Sequence, residues 1–235
     1  MHSTACPCPR PVPKKGIDES GFICGANATA EIAFARNLRH TQQAFESPGN
    51  ALHIDPETGL LDNARQTPSP NADARPDADD ISLIVVHCIS LPPGEFDARS
   101  DWIERFFCND LPADAHPYFA EICDMRVSAH VLIRRDGGVV QFVPFHRRAW
   151  HAGASSYHGR ERCNDFSVGI ELEGTDDSPF EDAQYDAMAQ LVVALQQTYP
   201  RIGDNIAGHS DIAPGRKTDP GSGFDWPRLH RLIQQ

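Results

Sequence analysis

The chain has no apolar run approaching the roughly 18 residues that a membrane-spanning helix needs, so it offers no candidate span. A secretory signal is missing as well. After Lys14 and Lys15 the stretch IDESGFICGANATAEIAFA is broken by acids, Asn and Gly, where a signal would keep a continuous apolar core. Basic residues are not in excess: 21 Lys and Arg stand against 33 Asp and Glu, a formal net charge of −12. Nucleic-acid binders usually present a basic face, so that class of partner is not expected. There is no internal repeat and no compact Cys/His zinc signature. The chain does contain 7 cysteines, which without an export signal fit a reducing compartment better than a disulfide framework. The expected location is the cytoplasm, with neither membrane nor obligate protein partner in view.

What is present is ordinary for a soluble globular protein, 40% hydrophobic and 23% charged residues. A length of 235 residues suits one substantial domain plus extra segments. Residues 1–50 read as an N-terminal extension and residues 51–235 as the functional domain. The extension opens on CPCPRPVPKK, a Pro- and Lys-rich leader expected to be extended or disordered. Cys6 and Cys8 form a C-x-C pair, a weak metal signal that solvent-exposed thiols explain better. Thr29 to Phe45 has the pattern of a short amphipathic helix. From Ala51 to Asp80 the chain is turn-rich, punctuated by Pro56, Pro68, Pro70 and Pro76.

The stretch from Ile81 to Ile89, ISLIVVHCI, is a nearly continuous β-branched run and predicts a central strand covered on both faces. Ser100 followed by DWIERFF reads as a short capped helix. Ala129 to Arg134 and Val139 to Pro144 flank Asp136-Gly137-Gly138, a hairpin signal. Phe166 to Glu173 alternates, with Phe166, Val168, Ile170 and Leu172 on a core face. Ser167, Gly169, Glu171 and Glu173 then present two carboxylates to a polar surface or cleft. Tyr185, Met188, Val192, Leu195 and Tyr199 recur at helical spacing and Pro200 stops the helix. Asp225 can cap a final helix that tolerates Pro227 in its first turn. Strands mixed with helices predict an α/β fold with a mixed central sheet.

Histidine is plentiful, with 11 in the chain, and a lone His is more often a surface or satisfied core residue than a ligand. His2, His40 and His53 fall in weakly structured sequence. His116, His146, His158 and His230 lie in polar or loop contexts without an identifiable partner. His87 differs, because it interrupts an apolar strand where an unpaired imidazole is costly. His209 follows Gly208 at the start of an irregular loop, and Asp219 precedes Pro220 within it. Two imidazoles and one carboxylate are the ligand count of a catalytic zinc site with one open position. Glu171 lies on a strand from which it could serve a water as base. Residue types alone leave other readings open: an Asp-Pro turn also accounts for Asp219, and a solvated loop cation for Lys217.

From about Ala51 onward the chain closely resembles the AmpD-type cytoplasmic N-acetylmuramoyl-L-alanine amidases. The matching stretches are VVHCISLPPGEF, AHPYF, RVSAHVLIRRDG, VQFVPF, RAWHAGASSYHGRERCNDFSVGIELEGT and the GH…IAPGRKTDPG…FDW tail. The wider superfamily includes phage lysozyme-type amidases and peptidoglycan recognition proteins, so the resemblance implies their zinc-amidase fold, a mixed sheet flanked by helices. It further implies that His87, His209 and Asp219 bind zinc, that Glu171 serves the attacking water, and that Lys217 stabilises the developing oxyanion. Arg126 and Arg162 match positions that contact the carboxylates of a muropeptide substrate, as a guanidinium can with paired hydrogen bonds. Tyr118, Trp150 and His151 match residues lining the groove.

The implied activity is hydrolysis of the amide between the lactyl group of 1,6-anhydro-N-acetylmuramic acid and L-alanine, in peptidoglycan recycling. Two rivals remain. A muropeptide-binding protein without catalysis would be expected to lack a ligand, and all three are here. An exported or phage-type wall hydrolase would need a route out of the cell. The sequence also departs from the pattern. Cys88 stands where an Asn commonly follows the first ligand, so one polar contact to substrate is lost. Ser210-Asp211 and Gly215 differ too, and the first fifty residues have no counterpart.

Overall fold

The computed structural model describes residues 52–97 and 99–235. The leader with Cys6 and Cys8, and the helix expected over Thr29 to Phe45, lie outside the described residues. Four short strands come first: β1 (Ile54–Asp55), β2 (Leu60–Leu61), β3 (Arg65–Gln66) and β4 (Ala72–Ala74). Strand β5 (Leu83–Ile89) follows, then helices α1 (Trp102–Phe107) and α2 (Pro117–Ile122). Next come β6 (Val131–Ile133), β7 (Val139–Gln141), β8 (Arg147–Ala149), β9 (Ser156–Tyr157), β10 (Arg160–Glu161) and β11 (Ser167–Glu173). Helix α3 (Asp182–Thr198), strand β12 (Ile206–Gly208) and helices α4 (His209–Ile212) and α5 (Trp226–Ile233) follow.

The main sheet has six strands in the order β12-β5-β11-β6-β7-β3. Strands β12, β5, β11 and β6 run parallel, and β7 returns antiparallel to β6 through the Asp136-Gly137-Gly138 turn. This is the mixed α/β sheet that the sequence predicts. The β-branched run of β5 sits between β12 and β11 and is covered on both faces, which is why it reads as continuously apolar. Ile84 and Val86 pack with Ile170, Leu172 and the inner face of α3, whose Tyr185, Met188, Val192 and Leu195 are buried. Leu83 and Val85 belong to a second cluster with Ala152, Cys163 and Phe166 on the opposite face. Burying each such aliphatic side chain is worth about 1.5–3 kcal/mol. The entry to α3 is fixed by Gln184, whose amide oxygen accepts from Glu181 N–H (3.0 Å) and whose amide nitrogen donates to Ile133 O (3.2 Å) and Glu173 O (3.1 Å). At the last helix, Asp225 accepts from Arg228 N–H (2.9 Å), as its capping role requires.

The structure corrects one expectation and adds two features that the sequence does not signal. The turn-rich segment before β5 is an integral part of the domain. Ile54 and Leu61 are buried in the α3-side core and β3 pairs with β7, so short strands hidden by prolines already belong to the fold. Strand β11, expected to present a polar face, has no open one, being buried along its whole length. Glu173 ends in an ion-pair network: its carboxylate takes Arg134 Nη1 at 3.0 Å, and the same guanidinium reaches Glu104 at 2.7 Å. Only Glu171 of the two carboxylates faces a cleft.

His130, which carries no signal in the sequence, is completely buried. Its Nδ1 accepts the Gly169 N–H (3.0 Å) and its Nε2 faces Arg147 O at 3.0 Å, so the neutral ring uses both nitrogens. Burial, reinforced by the Arg75 guanidinium beside it, holds its pKa well below the usual 6.5. The unfolded chain takes up a proton below about 6.5 that the folded chain refuses. Stability from this group is therefore complete above that pH and is lost as pH falls, by up to about 1.4 kcal/mol per unit. His130→Gln is expected to lose less stability than the parent between pH 7 and pH 5, read from urea midpoints. Equal acid losses in the two proteins would contradict it.

Candidate metal centre

Three adjacent parallel strands build the site at their C-terminal ends, where open α/β sheets deliver ligand-binding residues. In the register of β5 and β11, His87 and Glu171 are direct neighbours, and paired residues on parallel strands point to the same face. Gly208 of β12 pairs with Val86, so His209, the next residue, stands level with His87 across the other edge of β5. The Ser210 N–H donates to Asp219 O (2.9 Å), folding the loop back so that Asp219 lies beside its start. Gly208 permits this return: a Cβ there would come within 2.9 Å of the Pro220 ring.

The result is a triangle of donor atoms. His87 Nδ1, His209 Nδ1 and Asp219 Oδ2 lie 3.0 Å from one another on every side. Both imidazoles are buried, and burial holds the His87 pKa down at about 4, so that ring is neutral. A tetrahedral ion with bonds of about 2.0–2.1 Å has ligand-to-ligand edges of roughly 3.3 Å. The triangle is close to that size and its donors are two nitrogens and a carboxylate oxygen, so the residues present fit such an ion. Among the described residues this is the group of His, Cys, Asp or Glu side chains whose ligand atoms converge in this way.

Glu171 stands next to the triangle with its Oε2 buried and without a hydrogen-bond partner. Burial, and then the neighbouring Asp219 carboxylate, raise its pKa well above the ordinary carboxyl range. A buried carboxyl with nothing to bond is costly, and a group that must take a proton and hand it on needs a raised proton affinity. Both face a cavity of about 480 Å³ that is also lined by Lys217, Tyr118 and His151. The cavity lining also includes apolar Leu91, Phe106 and Ile122 and acidic Asp176 and Asp177.

The remaining expected residues fall into two groups. Lys217, Tyr118 and His151 join the cavity, whereas Arg126, Arg162 and Trp150 are not among its lining residues. Arg126 is exposed and donates to Cys123 O and Met125 O, both at 3.2 Å. Arg162 is exposed, pairs with Asp165 at 3.2 Å, and has a left-handed backbone with φ of 65°. Trp150 is half-buried, its backbone exchanging hydrogen bonds with Ser128. His116, unassigned by sequence, caps α2 by accepting from Tyr118 N–H (3.1 Å) and so fixes the helix that presents Tyr118.

Cys88 follows His87 and points away from the ligand triangle, as neighbouring strand residues do. Its thiol donates to Asp176 Oδ1 at 3.3 Å, and burial together with that carboxylate pushes its pKa up, so it remains protonated. A protonated thiol is no metal ligand. Cys88→Asn is accordingly expected to leave metal content unchanged and to alter only KM. Loss of metal in that variant, measured by plasma mass spectrometry, would mean the ligand set is wrong.

Fold and site together point to a class, hydrolases in which a carboxyl group stands beside a His/His/carboxylate set able to hold a metal. The profile of the family described as N-acetylmuramoyl-L-alanine amidase (Amidase_2) matches residues 77–222. The 1,6-anhydro-N-acetylmuramyl-L-alanine amidase AmpD of Salmonella typhimurium (strain SL1344) is 59% identical over 178 residues, covering 76% of this chain and 94% of that protein. The corresponding protein of Escherichia coli (strain K12) is 58% identical over 179 residues, covering 76% and 97%. A crystal structure of a selenomethionine AmpD derivative superposes with a TM-score of 0.74 at 58% identity, covering 77% of this chain and 98% of that one. The chain belongs to the N-acetylmuramoyl-L-alanine amidase family.

Proposed function

We propose that this chain hydrolyses the amide bond between the lactyl group of 1,6-anhydro-N-acetylmuramic acid and L-alanine in muropeptides, using zinc, in the cytoplasmic recycling of peptidoglycan. The observation that carries the chemistry is the buried, unpartnered Glu171 carboxyl in one cavity with the His87/His209/Asp219 triangle. The substrate follows from identity of 58–59% to the AmpD proteins over nearly their whole length. The described cysteines, Cys88, Cys108, Cys123 and Cys163, are free thiols, which suits a reducing compartment.

In this reading His87, His209 and Asp219 hold the zinc. When bound there, zinc supplies Lewis acidity, which acidifies water and polarises a carbonyl. Glu171 takes the proton of the attacking water and passes it to the leaving amine of L-alanine. Lys217 extends from the same loop as Asp219 and offsets charge on the tetrahedral oxygen. The apolar lining residues with Tyr118 cover the substrate, and the peptide carboxylates reach the exposed guanidinium groups of Arg126 and Arg162.

The test is mass spectrometry of products from a purified anhydromuropeptide. The expected products are the free anhydro-sugar acid and a peptide with a free L-alanine amine; cleavage within the peptide would overturn the bond assignment. In competition, the anhydro-sugar substrate is expected to be preferred over a reducing-end muropeptide of the same peptide, with intact sacculi slower still. Equal kcat/KM for the two sugars would remove the recycling assignment and leave the amidase assignment standing.

A further inference from the structure

Two consecutive residues, His151 and Ala152, touch both histidines of the triangle on the side away from Asp219. His87 Nε2 lies 2.9 Å from His151 Nδ1, and His209 Nε2 lies 3.2 Å from Ala152 O. The direction of each hydrogen bond can be worked out from the far end. Cys163 O can only accept, and Ser167 Oγ sits 2.6 Å from it, so the serine proton points there. Ser167 Oγ, 3.2 Å from His151 Nε2, must then accept from that nitrogen. His151 Nδ1 is left with a lone pair and accepts the Nε2–H of His87. On the other side Ala152 O can only accept and lies 3.2 Å from His209 Nε2, nearer than Arg216 Nη2 at 3.5 Å, which donates to Ala152 O instead, so His209 also carries its proton on Nε2. Both Nδ1 atoms are thereby bare and aimed at Asp219, three lone-pair donors converging at 3.0 Å.

The segment that sets this pattern is itself pinned. Asn164 Oδ1 accepts from both His151 N–H (3.1 Å) and Ala152 N–H (2.8 Å), and the buried Arg75 donates to Asn164 O (3.2 Å). Gly169 of β11 leaves room for the ring, since a Cβ there would come within 2.5 Å of His151. Arg216 adds a further donor to Ala152 O at 2.6 Å.

We propose that His151 and Ala152, held by Asn164 and Ser167, form a brace that fixes the tautomer and ring orientation of both metal-binding histidines. His151 is thus a positioning residue whose side chain acts through His87, in addition to lining the cavity. Metal ligands generally depend on such outer partners, and losing one costs about 10–100-fold in affinity. The inference rests on the triangle being a metal site, but its test needs no substrate and is independent of the amidase assignment.

The experiment measures Zn²⁺ affinity of the full chain by competition with a chromophoric chelator, with folding checked by circular dichroism. His151→Leu keeps bulk but offers no acceptor, and is expected to bind zinc about 10–100-fold more weakly. His151→Asn places an amide oxygen near the Nδ1 position and is expected to recover most of that loss. Asn164→Ala is expected to weaken binding as well, since both braces swing free. Wild-type affinity in His151→Leu overturns the proposal, and so does an equal loss in the Leu and Asn variants, which is what packing alone would give. If His151→Leu does not fold, Ser167→Ala decides: it leaves every ring in place and removes only the acceptor that orients His151. A loss of about 10-fold there supports the brace, and unchanged affinity overturns it. A wild-type chain that bound no zinc would fail the metal assignment and the brace together, whatever its activity.

Discussion

Glu171→Gln is expected to retain its metal and to slow turnover by about 10²–10⁴-fold, the usual worth of a positioned general base. The substitution is nearly isosteric, and Glu171 Oε2 has no hydrogen-bond partner to lose, so the strand and the ligand triangle beside it have no reason to move. What Gln removes is the capacity to accept a proton from water and give it to the leaving amine. Metal content by plasma mass spectrometry and kcat on one sample test both halves. Full activity in Glu171→Gln would exclude Glu171 as the base. Loss of metal would instead show that the carboxyl helps hold the ion.

How much of this was legible in the sequence depends on the range of the interaction involved. Strand β5 was readable because it is covered on both faces and therefore continuously apolar, and the hairpin because Asp136-Gly137-Gly138 is a local signal. His87 stood out for a local reason too, as a polar interruption of that run. Residue types could not bring His209 and Asp219 to it. They lie 122 and 132 residues away, and only the parallel pairing of β12 with β5 makes them neighbours. For these the family resemblance supplied what spacing could not.

The brace was hidden for a different reason. His151, Ala152, Cys163, Asn164, Ser167 and Gly169 all fall in the stretch WHAGASSYHGRERCNDFSVG, whose likeness to the amidases was plain from sequence. Likeness gave the position of His151 but not its contacts, which depend on a loop folding back across β11. The surroundings of Glu173 escape the sequence pattern because alternation reports which residues share a face and says nothing of what covers it. Helix α1 brings Glu104 against Arg134, and that pair closes over the second carboxylate. His130 gave no signal because its partners are a backbone N–H and a carbonyl, groups that every sequence possesses.

Removing a ligand should have the larger consequence, because it takes metal and activity together. Ala at His87, His209 or Asp219 leaves two protein donors where three converge, and is expected to cost more than the roughly 10–100-fold loss that accompanies an outer partner. The three variants should also differ. His87→Ala leaves the His151 acceptor without its donor, and His209→Ala does the same to one bond at Ala152 O, so each loosens the brace as well as the triangle. Asp219→Ala leaves both braced imidazoles in place but removes the negative charge, and their bare Nδ1 atoms then face each other at 3.0 Å with nothing between. Excess zinc is therefore expected to restore binding best in Asp219→Asn, whose amide oxygen occupies the same position without the charge. Zinc titrations of the three Ala variants and of Asp219→Asn, each followed by assay on an anhydromuropeptide, provide the check. Wild-type metal content in any Ala variant would remove that residue from the ligand set, and undiminished turnover in metal-free protein would remove the metal from the reaction.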